Sequence, residues 1–223
     1  MIKKFIFAGA FLCPFIFNAQ QETMKSSEPR VAVIPHVGYG YRLAKAPSDS
    51  NPETRKYING LRGGLDVGIG AFYLLNGNGA VGIKGSLFSA SSTGRITVQT
   101  GSGTSTSLAV NTDDNISFIG ASYMFSNFKS DTKHKLLYDI ALGVITYTTK
   151  TGNVKGVGSS LGADINFAYQ YAVTDNIFIG PKLGLIGGTI TKMKYNGVVY
   201  DFPEDQGEGL TRLSLSAAAT FRF

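Results

Sequence analysis

From residue 212 to residue 223, apolar and polar positions alternate without a break. One face reads Leu213, Leu215, Ala217, Ala219, Phe221, Phe223; the other reads Arg212, Ser214, Ser216, Ala218, Thr220, Arg222. A period of two predicts a β-strand with chemically distinct faces. Seven earlier segments share the pattern. Their apolar rows begin with Val31, Val33, Pro35, Val37, Tyr39, Tyr41 and Leu43, then, from Tyr57, Leu61, Gly63, Leu65, Val67, Ile69, Ala71 and Tyr73. They continue with Val81, Ile83, Gly85, Leu87; Ile119, Ala121, Tyr123, Phe125; and Tyr138, Ile140, Leu142, Val144. The last two are Leu161, Ala163, Ile165, Phe167, Tyr169, Tyr171 and Ile177, Ile179, Pro181, Leu183, Leu185. No row carries a charge. A Lys or Arg on a lipid-facing strand costs roughly 2–4 kcal/mol at the bilayer midplane, so a bilayer would impose this absence.

The complementary face is expected to be polar or small, with His36, Gly38, Gly40, Arg62, Gly64, Asp66, Lys84, Ser86, Asp139, Asp164, Asn166, Lys182 and Ser214 among its members. A soluble barrel would turn its apolar face inward, and alternation alone does not separate the two cases. Acids and bases on most strands make a poor apolar pocket, and the uncharged rows end in aromatics. The pattern therefore predicts an all-β fold, an eight-stranded antiparallel transmembrane β-barrel of the outer-membrane type.

Connections alternate in length. Asn76-Gly77-Asn78-Gly79 and Thr174-Asp175-Asn176 are tight turns, and residues 126–134 form an intermediate one. Residues 44–56, 89–114, 149–157 and 191–209 are polar and mostly long. With both termini on the short-turn side, Tyr73, Tyr123, Phe125, Tyr138, Tyr169, Tyr171, Phe221 and Phe223 form one aromatic girdle and Tyr39, Tyr41 and Tyr57 the other. Residues 95–110 alternate around Gly101-Ser102-Gly103, and residues 192–200 contain Asn196-Gly197, a type I′ hairpin signal. Both read as ribbons extending the barrel strands, or as a further strand pair raising the number to ten.

Residues 1–19 read as an export signal, with Lys3 and Lys4 ahead of an apolar run too short to span a bilayer. Residues 20–223 suit one domain. The only cysteine, Cys13, lies in the signal, which excludes disulfides and thiolate chemistry from the rest. The chain has a formal charge of +6, two of which leave with the signal, and the remaining basic residues are scattered, which argues against nucleic acid. With 28 glycines, 11 tyrosines and 15 phenylalanines, the composition suits strands.

At this point the chain resembles the small outer-membrane barrel proteins of Bacteroidota, the porin-family or PorT-like group. The resemblance is carried by the signal ending Asn18-Ala19-Gln20, the eight segments, and the terminal Phe221-Arg222-Phe223. In size the chain also looks like the barrel half of OmpA-type proteins. The resemblance specifies architecture and leaves activity open; it implies that Phe221 and Phe223 form the signal read by the barrel insertion machinery.

Two enzyme signatures fail on context. Gly77-Asn78-Gly79-Ala80-Val81-Gly82 fits G-x-G-x-x-G and Gly158-Ser159-Ser160-Leu161-Gly162 fits G-x-S-x-G, yet each leads into a strand instead of the helix its chemistry requires. His36, facing inward, suits a lumen hydrogen bond better than catalysis, and His134 lies in a turn. No catalytic, cofactor or metal residue is assigned, and no enzyme activity is expected. Asp201, Glu204, Asp205 and Glu208 crowd the last loop without EF-hand spacing. Arg42, Lys45, Arg55 and Lys56 flank the first long loop, where lipopolysaccharide phosphates would lie.

Eight strands enclose a space that side chains fill. Arg62, Asp66, Lys84, Asp139, Asp164, Lys182 and Arg212 are therefore expected to form a lumen charge network. The expected protein is a monomer in outer-membrane lipid and lipopolysaccharide, with a plugged lumen and outer loops that serve as a structural or interaction surface for an envelope protein partner. The alternative is a narrow porin-like channel for small solutes.

Overall fold

The computed structural model describes residues 29–43, 52–75, 77–99, 105–203 and 207–223. Residues 1–19, read above as an export signal, and Lys45, Glu204 and Asp205 lie outside them.

Eight strands form the wall: β1 (Val31–Arg42), β2 (Gly63–Leu74), β3 (Gly79–Gln99), β4 (Ser105–Ser126), β5 (His134–Thr151), β6 (Val154–Ala172), β7 (Ile177–Ile190) and β11 (Arg212–Arg222). Each pairs antiparallel with its neighbour, and β11 closes on β1 from Ala32↔Arg222 to Arg42↔Arg212. Closure leaves the wall no free edge. The proposed outward rows point outward: Ile69, Ile83, Ile119, Leu142, Leu161 and Leu215 are exposed, whereas the residues between them are buried or half-buried.

About 9–11 tilted residues span a bilayer. β3 and β4 are 21 and 22 residues long and stay paired from Gly79↔Phe125 to Gln99↔Ser105, so much of that hairpin stands beyond the membrane band. The second ribbon is the hairpin β8 (Lys192–Tyr195) and β9 (Val198–Asp201), whose turn places Asn196 at φ 45° and Gly197 at φ 97°. Those left-handed angles are what the Asn-Gly pair supplies. β8 adds to the far end of β6 through Gly156↔Tyr195, and β10 (Glu208–Gly209) pairs with β7. Neither enters the wall, so the barrel has eight strands, not ten.

Two elements depart from the alternation. Residues 52–60 form a helix, α1 (Pro52–Gly60), with proline at its start and Glu53 in the first turn, both suited to a helix amino end. Tyr57 therefore leaves the outer girdle. Its hydroxyl bonds to Thr112 Oγ1, which lies 2.6 Å from Thr151 Oγ1, and Gly94 makes room for its ring. α1 is thus held against inward-facing residues at the loop end of β3 and β4. The second strand begins at Gly63, after α1 and a turn.

The lumen is also less polar than expected. Its loop end holds Phe88, Ile116, Phe118, Ile145, Ile186, Ile190 and Leu210; its terminal end holds Ile34, Phe72, Met124, Phe128, Leu137 and Phe178. Glycines make this possible. A Cβ on Gly40 would lie 2.8 Å from the Phe88 ring. Small and large inward residues alternate around a narrow barrel so that the taper fills.

Candidate functional site

Between these two apolar layers lies a layer of charge, built from inward positions in the middle of β1–β7 and from the loop end of β11. Lys84 Nζ sits 2.6 Å from Asp139 Oδ1 and 2.9 Å from Asp164 Oδ2. Asn166 Nδ2 donates to both acids, at 3.1 Å to Asp139 and 2.8 Å to Asp164, and Ser122 Oγ donates to Asp139 at 3.3 Å. The second half centres on Asp66. Its Oδ2 lies 3.6 Å from His36 Nε2 and its Oδ1 3.3 Å from Arg212 Nη2. Arg212 also donates to Ser86 Oγ at 3.1 Å and lies 5.5 Å from the Phe88 ring centroid. Lys182 is buried in the same layer, where it shares a cavity of about 10 Å³ with His36, Lys84 and Asp139. No carboxylate of the described residues lies within ion-pairing distance of it. Three buried carboxylates (Asp66, Asp139, Asp164) face three buried cations (Lys84, Lys182, Arg212), so the layer is formally neutral with His36 uncharged.

Six of the seven residues assigned to the lumen network are therefore gathered in one layer. Arg62 is not. It follows α1 in the turn before β2, half-exposed at the rim, where its Nε donates to Arg42 O at 3.1 Å and its guanidinium stacks 4.6 Å from the Tyr41 centroid. The helix shifted the start of the strand, and parity counted through Tyr57 assigned Arg62 to the wrong face. His36 and Asn166 join the layer, as their inward parity allows.

A second cluster closes the loop end. Arg42 points inward, pairing with Asp114 at 3.2 Å and Glu208 at 2.6 Å, with its guanidinium 5.2 Å from the Tyr147 centroid. It is therefore engaged inside the barrel and turned away from any phosphate outside. Glu208 is taken by Arg42, and Asp201 pairs with Lys192 at 3.2 Å across the β8–β9 hairpin. Asp114 lies in β4 and not in the expected 89–114 connection, and its parity with Ser122 and Met124 turns it inward. At the terminal end the turn of residues 127–133 folds under the barrel. The Phe128 ring lies 5.2 Å from Phe178, and Arg222 and Lys135 donate to its carbonyl at 2.8 and 3.4 Å. A lone phenylalanine in a polar turn was the available signal for this packing.

His134 starts β5 and stacks on Tyr169, with Nδ1 2.5 Å from the tyrosine hydroxyl. Gly158–Gly162 lies inside β6, and Gly79–Gly82 opens β3. Phe223 is exposed, but its backbone is tied to β1: its N–H donates to Val31 O at 2.9 Å, and its carbonyl accepts from Val31 at 3.1 Å and Arg30 at 2.7 Å.

A closed antiparallel barrel of eight strands, apolar outside and girdled by aromatics, is the architecture of small outer-membrane barrels. One solved structure superposes on this chain with a TM-score above 0.5, and two others are less similar. Neisserial surface protein A superposes with a TM-score of 0.51 at 17% identity, covering 86% of this chain and 97% of that one. OprG from Pseudomonas aeruginosa gives 0.46 at 11% identity, covering 87% and 97%. The outer-membrane protease OmpT from Escherichia coli gives 0.43 at 11% identity, covering 90% and 99%. At these identities the likeness is one of fold alone. No family model and no curated protein matches the chain, and the resemblance to Bacteroidota barrels rests on its sequence features.

Proposed function

We propose that the chain is a monomeric outer-membrane protein whose barrel is a closed scaffold and whose function resides in the ribbons beyond the membrane. The layering of the lumen carries this reading. Apolar side chains at both ends enclose a formally neutral charge layer, Phe128 packs under the terminal end, and α1 is tied to β4 at the loop end. Buried apolar side chains at both ends oppose a polar path for solutes, which supports a closed barrel over transport. His36 and Asp66 sit inside the same layer, away from any surface a substrate would reach, which supports a non-enzymatic role.

The β8–β9 hairpin is the surface best suited to contact a partner. Val198, Val199 and Tyr200 are all exposed on a ribbon that pairs with the barrel through β6. Exposed apolar residues clustered at a loop tip mark interaction sites on otherwise polar surfaces. Within this reading the loop end faces outward, and Phe221 and Phe223 at the opposite end are read by the insertion machinery.

The test is photo-crosslinking from position 200 in native outer membranes. A stoichiometric envelope-protein adduct, lost when Val198 and Val199 are replaced by Ser, is the expected result. Absence of any adduct from the hairpin in protein confirmed to be in the outer membrane would contradict the interaction reading.

A further inference from the structure

The outer wall is not uniformly convex. Across β6, β7, β11 and β1 two rows of outward residues stand in register: Ile165, Leu185, Leu213, Tyr41 and Phe167, Leu183, Leu215, Tyr39. Leucines form the centre of each row, flanked by the rings of Tyr41, Phe167 and Tyr39 and by Ile165, and the surface there dips into a trough of about 440 Å³. Small-molecule sites commonly occupy clefts of about 300–1,000 Å³. Gly63 helps to keep the trough open. The Tyr39 hydroxyl lies over Gly63, where a Cβ would collide with it, so the ring leans toward β2 and away from Leu215.

A cation stands on one of the rings that line this trough. Tyr41 lines it, and the same ring carries the Arg62 guanidinium 4.6 Å from its centroid. Arg62 donates to Arg42 O at 3.1 Å and, at the 3.5 Å limit, to Asn59 Oδ1. A guanidinium has five N–H donors in a fork that suits phosphate, so most of its capacity is unused by the described residues. An apolar trough on the bilayer-facing wall, topped by a half-exposed arginine held on an aromatic platform, matches a lipid with an acyl chain below and a phosphate at the interface.

We propose that this trough is a binding site for a phosphorylated outer-leaflet glycolipid of the lipid A type, with one acyl chain over Leu183, Leu185, Leu213 and Leu215 and a phosphate on Arg62. The site rests on the reading that the loop end faces outward, since that leaflet carries lipid A. Binding is measured on purified protein and localisation on membrane fractions, so the two readings fail separately.

The experiment is native mass spectrometry of the full-length protein in detergent, titrated with diphosphoryl lipid A, with the same lipid after phosphate removal, and with phosphatidylglycerol. A 1:1 lipid A complex is expected, about tenfold weaker for the dephosphorylated lipid and for Arg62→Gln, the loss of roughly one charge-assisted hydrogen bond. Leu215→Trp, which fills the trough without adding charge, should weaken it as well. Gel mobility before and after boiling checks that each variant is folded, and Tyr41→Leu, which removes the platform, replaces Arg62→Gln if that variant fails. Unchanged binding in the folded variants would overturn the site. So would phosphatidylglycerol binding as tightly as lipid A, or no 1:1 complex at all.

Discussion

Removing Asp66 should cost more than removing Asp139, although both are buried carboxylates in one layer. Asp66 is the sole carboxylate within ion-pairing distance of Arg212 among the described residues, and Arg212 is only 1% exposed. Asp66→Ala leaves that guanidinium uncompensated, the situation that costs about 3–5 kcal/mol when one partner of a buried pair is removed. The lower end of that range applies. Asp66 Oδ1 and Arg212 Nε and Nη1 make no hydrogen bond to a described protein group, so the pair is held by charge more than by aligned bonds. Asp139→Ala removes one of the two acids on Lys84; Asp164 remains 2.9 Å away, and Asn166 keeps a bond to Asp164. What is lost there is the charge-assisted bond from Lys84 and the longer ones from Asn166 and Ser122, and because each donor keeps another acceptor the loss is about 1.5–3 kcal/mol. In Asp66→Ala combined with Arg212→Met no charge is stranded, and most of the loss should be recovered. Urea unfolding in lipid vesicles, followed by tyrosine fluorescence, gives the order: double variant close to wild type, Asp139→Ala lower, Asp66→Ala lowest. Equal losses for the two single variants, or a double variant worse than Asp66→Ala, would refute the pairing.

Depth on the outer wall should decide which charges are tolerated. Ile69 pairs with Pro35 midway between the girdles, whereas Leu65 pairs with Tyr39 at the rim. Ile69→Arg should therefore cost roughly 2–4 kcal/mol and block insertion, while Leu65→Arg costs about 0–1 kcal/mol; similar yields of folded protein would contradict the membrane band. Deleting Phe223 removes three backbone hydrogen bonds at the β11–β1 seam together with the terminal aromatic, so outer-membrane assembly should fall while export continues; normal assembly would count against both roles. Phe128→Ala should destabilise the barrel by about 3–5 kcal/mol, the range for an emptied phenylalanine site, and admit water from the terminal end. Unfolding stability and tryptic sensitivity of the 127–133 turn report on it, and an unaltered protein would mean that Phe128 is no plug.

The outer surface was legible because a bilayer applies one rule to every outward position. Uncharged rows such as Ile119, Ala121, Tyr123 and Phe125 follow from parity and need no knowledge of neighbours. The lumen obeys a different rule. Phe88 fits inside because Gly40 lacks a Cβ, a match between strands distant in sequence that alternation does not encode. Both apolar layers were missed for this reason, whereas Lys84, Asp139 and Asp164 were found because charge must face inward and must pair there. The same cross-strand constraint makes Gly64 intolerant of a side chain: a Cβ there would meet the Ser89 backbone, so Gly64→Ser is no neutral inward substitution. The helix α1 was hidden because Tyr57 continues the parity of β2, and Arg62 was misplaced with it.

The central claim is that side chains close the barrel, and single-channel recording from purified protein in planar bilayers tests it most directly. Layers of apolar side chains at both ends of a neutral charge network predict at most small, infrequent conductance, rising when Phe128 is replaced by Ala. Stable, frequent, ion-selective openings of the unmodified protein, with selectivity altered by Lys84→Ala or Lys182→Ala and no loss of stability, would contradict it.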